Sequence, residues 1–339
     1  MQVDQTLSNY SDMAFQTAFV VYAVALFISV FFYVRMQSVI DARRELVAVP
    51  DRELVAADGS TVVADSPDSG STGVSTPAST NLAKLEAGAD KLGGMAQALI
   101  WLGIVFHAAA VILRGFATGR FPLGNLWEYV LMVTLGVMIA ISVALTRKAW
   151  RPLWPWVLTP MLALMAYGAI DLYAESAPVV PALQSNWLPI HVTTITIGAS
   201  IGIVSGIASL LYLLRFWQAP GKEKGFFGML AKPLPSAKTL DSLAYKSAII
   251  TLPVFGLGVI LGAIWAESSW GRFWGWDPKE TVAFITWIIY AAYLHARATA
   301  GWKVWGTAFI NILALATMIF NLFFINMVVS GLHSYAGLN

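Results

Sequence analysis

The sequence predicts an all-α polytopic membrane protein of about eight transmembrane helices. Mean hydropathy is +0.67, 58% of residues are hydrophobic and 12% are charged, far from the composition of a soluble domain. Apolar runs near the roughly 20 residues needed to span a bilayer as a helix recur along the chain. They fall at 14–34, 95–113, 127–146, 153–172, 191–214, 247–266, 281–298 and 305–329. Eight spans put both ends on one side, and Lys and Arg decide which side, because they gather in cytoplasmic loops. One set of alternate loops holds Arg114, Arg120, Arg272 and Lys279, and the other holds the rest of the 21. The sparse set therefore faces outward, with both termini and a Trp-rich loop between spans six and seven.

The first run, within 1–40, reads as an N-terminal anchor helix; no basic segment precedes it, so it is expected to stay rather than be cleaved. Residues 41–91 turn to Ser, Thr, Gly, Asp and Pro, as in Asp65-Ser-Pro-Asp-Ser-Gly-Ser-Thr-Gly. Such a segment buries too little apolar surface to order itself, so a cytoplasmic disordered linker is expected. A seven-helix body, 92–339, follows and carries the chemistry. Between spans five and six, Lys222, Lys224, Lys232 and Lys238 mix with Phe226, Phe227, Met229 and Leu230, as expected of a loop in the headgroup region.

The chain has no cysteine, which excludes disulfides, thiolate metal sites and thioethers of its own. Its four histidines are therefore the candidate ligands. His191 opens the fifth span and His333 follows the eighth, both at the outer level of the Trp-rich loop. His107 and His295 lie inside their spans, at depths compatible with a second pair, and ionisable residues at membrane depth mark functional sites. A hydrogen-bonding role between helices is the plainer reading of each taken singly. Imidazole suits iron, copper and zinc, but an apolar setting rich in indoles favours a large flat cofactor, and haem with a His on each face of the iron fits best.

The loop Trp270-Gly-Arg-Phe-Trp-Gly-Trp-Asp-Pro-Lys-Glu-Thr281 crowds Trp270, Trp274 and Trp276 beside two glycines. Indole faces suit a porphyrin, and Arg272 and Lys279 are candidate partners for its carboxylates. Asp277 before Pro278, with Glu280 three residues on, predicts a capping box opening span seven.

This loop resembles the WWD signature of haem-handling proteins, and more narrowly that of the System II cytochrome c biogenesis family of the CcsA/CcsB (ResC) type. The likeness extends over Gly119-Arg-Phe-Pro-Leu-Gly-Asn-Leu-Trp-Glu128, Asn186-Trp-Leu-Pro-Ile-His191, Leu240-Asp-Ser-Leu-Ala-Tyr245, His295 and Gly331-Leu-His-Ser-Tyr-Ala, covering roughly residues 92 to 339. The resemblance implies a multi-pass protein of the bacterial plasma membrane with an outer haem site on the WWD loop, His191 and His333 as axial ligands, and a transmembrane site using His107 and His295. It implies that haem b is moved outward and attached to the Cys-x-x-Cys-His segment of an apocytochrome c. That makes the chain a holocytochrome c synthase component, acting with a ResB-type membrane partner and with no nucleic acid. Two other readings are a permanent b-type haem electron carrier, which would not release its haem, and a transporter or scaffold without cofactor, which would be colourless.

Overall fold

The computed structural model describes residues 3–48, 77–179 and 181–333, and among them every regular element is helical. The order is α1 (Gln5–Ala48), α2 (Pro77–Thr118), α3 (Leu126–Ala144), α4 (Trp154–Asp171), α5 (Trp187–Trp217), α6 (Gly225–Ala231), α7 (Ala237–Trp270), α8 (Pro278–Ala298) and α9 (Val304–Phe320), with a π-helical turn, Asn321–Ile325, continuing α9. Seven of these segments are long and apolar enough to cross a membrane. The predicted span 281–298 coincides with α8, a helix of 21 residues in which tyrosines, His295 and Arg297 dilute the apolar content.

A disordered linker is expected over 41–91, but the structure has helix at both ends of that range. Residues 41–48 complete α1 and residues 77–91 open α2, and the intervening 49–76 lie outside the described residues. The reason is a partner that composition alone does not reveal. Phe32 and Val39 of α1 bury themselves against Ala89 of α2, with Met36, Leu82, Leu85 and Leu92 around them. At 1.5 Å per residue the helices of this hairpin run to roughly 65 Å, about twice a bilayer core. The end of the hairpin that carries Arg44 is tied to the body by Glu223, which accepts from Arg44 at 2.8 Å and Arg215 at 3.0 Å. Partial burial opposes ionisation of Glu223, but these bonds prevail and hold its carboxyl near 2.

α5 and α7 pack through glycines. A Cβ on Gly198 would lie 2.7 Å from the Phe255 nitrogen, and one on Gly258 would lie 2.8 Å from the Ile195 Cα, so the two backbones touch as in small-residue membrane interfaces. Polar side chains add specificity inside the bundle. Asn311 of α9 donates to Ser205 and Ser209 of α5 at 2.8 Å, and Tyr290 of α8 donates to the Gly202 carbonyl at 3.0 Å. At the C-terminal end of α8 Arg297 grips Asp241 through two hydrogen bonds, at 2.6 and 3.0 Å, and lies over the Tyr245 ring.

Candidate functional site

Close packing of α5 on α7 sets the first wall of the site. His191, one turn into α5, donates from Nδ1 to the Gly258 carbonyl at 2.9 Å. A carbonyl can only accept, so Nδ1 carries the proton and the neutral ring keeps its lone pair on Nε2. The imidazole stacks parallel to buried Trp265, with centroids 5.8 Å apart and an 8° interplanar angle.

The second wall is the loop after α7. Gly271 ends that helix in the left-handed conformation at φ 69°, a C-cap that glycine adopts without strain. The chain crosses to Asp277, which opens α8 as predicted: its side chain accepts from Lys279 N, while Glu280 accepts from Asp277 N, and Pro278 occupies the first helical position. Asp277 also reaches across the sequence. It accepts from Leu332 N at 2.8 Å and from His333 Nδ1 at 2.8 Å, fixing a segment 55 residues away. Burial pushes the Asp277 carboxyl up, but its bonds from His333, Leu332 and Lys279 win and hold it below the usual carboxylate range. Burial also pushes the His333 imidazole below its usual value, against the pull of Asp277. The pair is thus an ionised carboxylate and a neutral imidazole whose lone pair is on Nε2.

Both imidazoles line one cavity of roughly 1370 Å³, counting its open mouth. Its walls come from α3, α5, α7, the loop after α7, α8, the end of α9 and the π-turn, and include Tyr129, Trp265, Trp274 and Met318. The lining is mainly apolar with few polar groups, the character of a site for a large organic ligand. Among the described residues no cluster of three or more His, Asp or Glu is suited to a bare metal ion. Two neutral imidazoles, each oriented by a hydrogen bond at Nδ1, fit an iron held in a flat macrocycle.

The sequence model of the cytochrome C assembly protein family matches residues 96–333. The chain belongs to that family. Among its relatives named cytochrome c biogenesis protein CcsA, that of Guillardia theta is 34% identical over 242 residues, covering 67% of this chain and 80% of its own. That of Synechococcus sp. (strain CC9902) is 31% identical over 269 residues, 73% and 88% of the two chains. That of Chlamydomonas reinhardtii is 32% identical over 235 residues, 68% and 65%. Membership establishes a multi-pass membrane protein of System II cytochrome c biogenesis, of the CcsA type.

Within this cytochrome c assembly protein, the expected site residues divide. His191, His333, Trp274 and Lys279 line the cavity. Asp277 stands behind His333. Trp270, on the last turn of α7, packs edge-on to His333 at 5.0 Å and to Trp265 at 4.7 Å, backing that imidazole instead of lining the cavity. Trp276 is 68% exposed at φ 57°, turned away from the cavity. Arg272 is committed to Glu280 at 3.1 Å and lies over the Trp270 ring.

The structure does not join His107 to His295. His107 is completely buried, enclosed by the Phe15 and Tyr22 rings of α1, and its Nε2 donates to the Leu131 carbonyl of α3 at 3.1 Å. His295 is exposed on the last turn of α8. Matched depth along two helices fixes height and not direction, and these two side chains meet different surroundings.

Sequence reasoning missed Trp265, hidden in an ordinary apolar run, and the second role of Asp277. It also missed Glu128, whose carboxylate holds the loop carrying Gly124 and Asn125 against the cavity: it accepts from Gly124 N at 2.6 Å, Arg120 at 2.8 Å and Arg114 at 3.1 Å.

Proposed function

We propose that this protein receives haem b as its substrate, holds it between His191 and His333 on the outer side of the membrane, and presents it for covalent attachment to an apocytochrome c. The observation supporting this is the pair of imidazoles on one indole-walled cavity, each with Nδ1 committed to a protein acceptor and Nε2 bearing the lone pair. The names of the CcsA relatives point the same way. Haem supplies the vinyl groups. Attachment adds each S–H of the target's Cys-x-x-Cys-His segment across a vinyl carbon–carbon double bond, so nothing leaves and no oxidant is needed. No nucleophile of the chain's own is required, and positioning carries the catalysis. A ResB-type membrane partner completes the synthase, in a bacterial plasma membrane, with eight spans and both termini outside, as the distribution of Lys and Arg suggests. The outer pair alone carries this reading, since His107 is enclosed by the Phe15 and Tyr22 rings of α1 and is not on the wall of the cavity that His191 and His333 share.

The test is a visible spectrum and pyridine haemochrome assay of the purified protein, alone and with its partner, beside a His191→Ala/His333→Ala variant. Haem b in the parent, a diminished or shifted Soret band in the variant, and loss of the haem to a Cys-x-x-Cys-His peptide support the reading. Haem that stays through excess peptide and imidazole favours an electron carrier. No haem after supplementation favours a transporter or scaffold.

A second prediction concerns the backbone behind His191. A Cβ on Gly262 would lie 2.6 Å from His191 Cε1 and 2.9 Å from Nδ1, so Gly262→Ala is expected to push the ring off the Gly258 carbonyl. A loss of haem affinity of about 10–100-fold follows from a misdirected ligand. Gly94→Ala, where nothing lies within 4 Å of the added carbon, serves as the control. Equal haem titrations for the two variants would show that His191 does not depend on this contact.

A further inference from the structure

We infer that Lys279 and the π-helical turn form a carboxylate-binding subsite inside the cavity, which holds a flat, carboxylate-bearing substrate by its acid group. This deepens the haem reading above and rests on it.

Two cations stand in the Trp-rich loop, and the structure separates them. Arg272 is not on the cavity wall, and Glu280 neutralises it; Glu280 is in turn occupied by the backbone N–H groups of Gly275 and Asp277. Lys279 lines the cavity. Its Nζ donates to Asn326 Oδ1 and lies 5.5 Å from the centre of the Tyr129 ring. Asn321 Nδ2 donates to the Lys279 carbonyl at 3.4 Å, so the turn Asn321–Ile325 and the residue after it hold this lysine by main chain and side chain together. Single π-turns inside helices occur frequently at functional sites.

Charge is the decisive point. Among the described residues no carboxylate pairs with Lys279: Asp277 is taken by His333, Leu332 N and the first turn of α8, and Glu280 by Arg272. An ammonium has three protons to donate, and here a neutral amide takes one. A cation enclosed beside an aromatic ring, with no carboxylate bonded to it, is costly unless a ligand brings one. A carboxylate entering the cavity would supply that charge and make charge-assisted hydrogen bonds with the remaining protons.

The experiment titrates the purified protein with haem b and with haem b dimethyl ester, which keeps the iron and the flat ring but lacks free carboxylates. The parent is expected to favour the free acid by about tenfold or more, the scale of one charge-assisted hydrogen bond. Lys279→Met is expected to bind both alike, at the affinity the parent shows for the ester, with an unchanged bis-imidazole Soret band. Arg272→Gln should keep the parent's preference. A parent that binds acid and ester equally overturns the subsite without need of any variant, as does a preference that survives in Lys279→Met but vanishes in Arg272→Gln. A parent that binds neither compound overturns the haem reading instead.

Discussion

Asp277→Ala is expected to lower haem affinity by about 10–100-fold, the scale seen when the hydrogen-bond partner of a ligating histidine is removed. The same change should weaken α8 by about 1 kcal/mol through loss of its N-cap. One side chain performs both tasks, so a single variant confounds them, and Asp277→Asn separates them. Asparagine caps helices as well as aspartate, so its thermal midpoint should stay near the parent's. It offers His333 a neutral acceptor in place of an anion, so its haem affinity should fall between those of parent and alanine variant. Haem titration and thermal unfolding of the three proteins in the same detergent decide the matter. If Asp277→Asn binds haem like the parent while Asp277→Ala does not, position and not charge is what Asp277 provides. If neither variant changes affinity, His333 is not held for iron by this contact.

Acid should act on the same clasp. The Asp277 carboxyl sits below its ordinary value in the folded state, so its contribution is present at neutral pH and is lost as pH falls through the folded value. His333 is also held below its ordinary value. Folding therefore disfavours its protonation, and stability starts to fall once pH drops below about 6.5, where a free imidazole titrates. Both shifts carry the same sign.

Much of this site was legible because its parts are local. The box of Asp277, Pro278 and Glu280 lies within four residues, and its hydrogen bonds follow from helix geometry. His191 and His333 stand out as ionisable groups at the ends of apolar runs. What stayed hidden needs the third dimension. Trp265 reads as one more aromatic residue in an apolar helix until its ring is found stacked on His191. Asp277 already had a sufficient local role, which masked its partner 56 positions away. The start of α2 reads as part of a linker because Leu82, Leu85 and Leu92 are sparse among polar residues, and only α1 alongside them makes a buried face. His107 and His295 share a depth that helix rise makes legible, whereas the neighbours that α1 and α3 bring to His107 are not.

The largest loss of stability is expected from Glu128→Ala. Glu128 and Arg114 are both fully buried, and the Arg120 side chain is 18% exposed. The carboxylate is shared by two guanidinium groups and the Gly124 N–H, while Arg114 and Arg120 reach on to the Ala174 and Ala177 carbonyls. Cutting the carboxylate away leaves two guanidinium groups with little to neutralise them; Asp12, at 3.9 Å from Arg114, is a weak substitute. Removing one partner of a buried ion pair costs about 3–5 kcal/mol, well beyond the pair's own net worth, because the stranded charge has lost its solvent. Glu86→Gln is the matched control. It removes the carboxylate paired with Arg43 at 2.6 Å, but Arg43 is 60% exposed, and such surface pairs contribute about 0–1 kcal/mol. Thermal unfolding in lipid nanodiscs should therefore separate the two variants widely. The Gly124–Asn125 wall depends on Glu128, so haem should also dissociate faster from whatever Glu128→Ala protein folds. A shift no larger than that of Glu86→Gln would mean that water reaches Arg114 and Arg120, and that the outer rim of the cavity is held by packing and not by this ionic cluster.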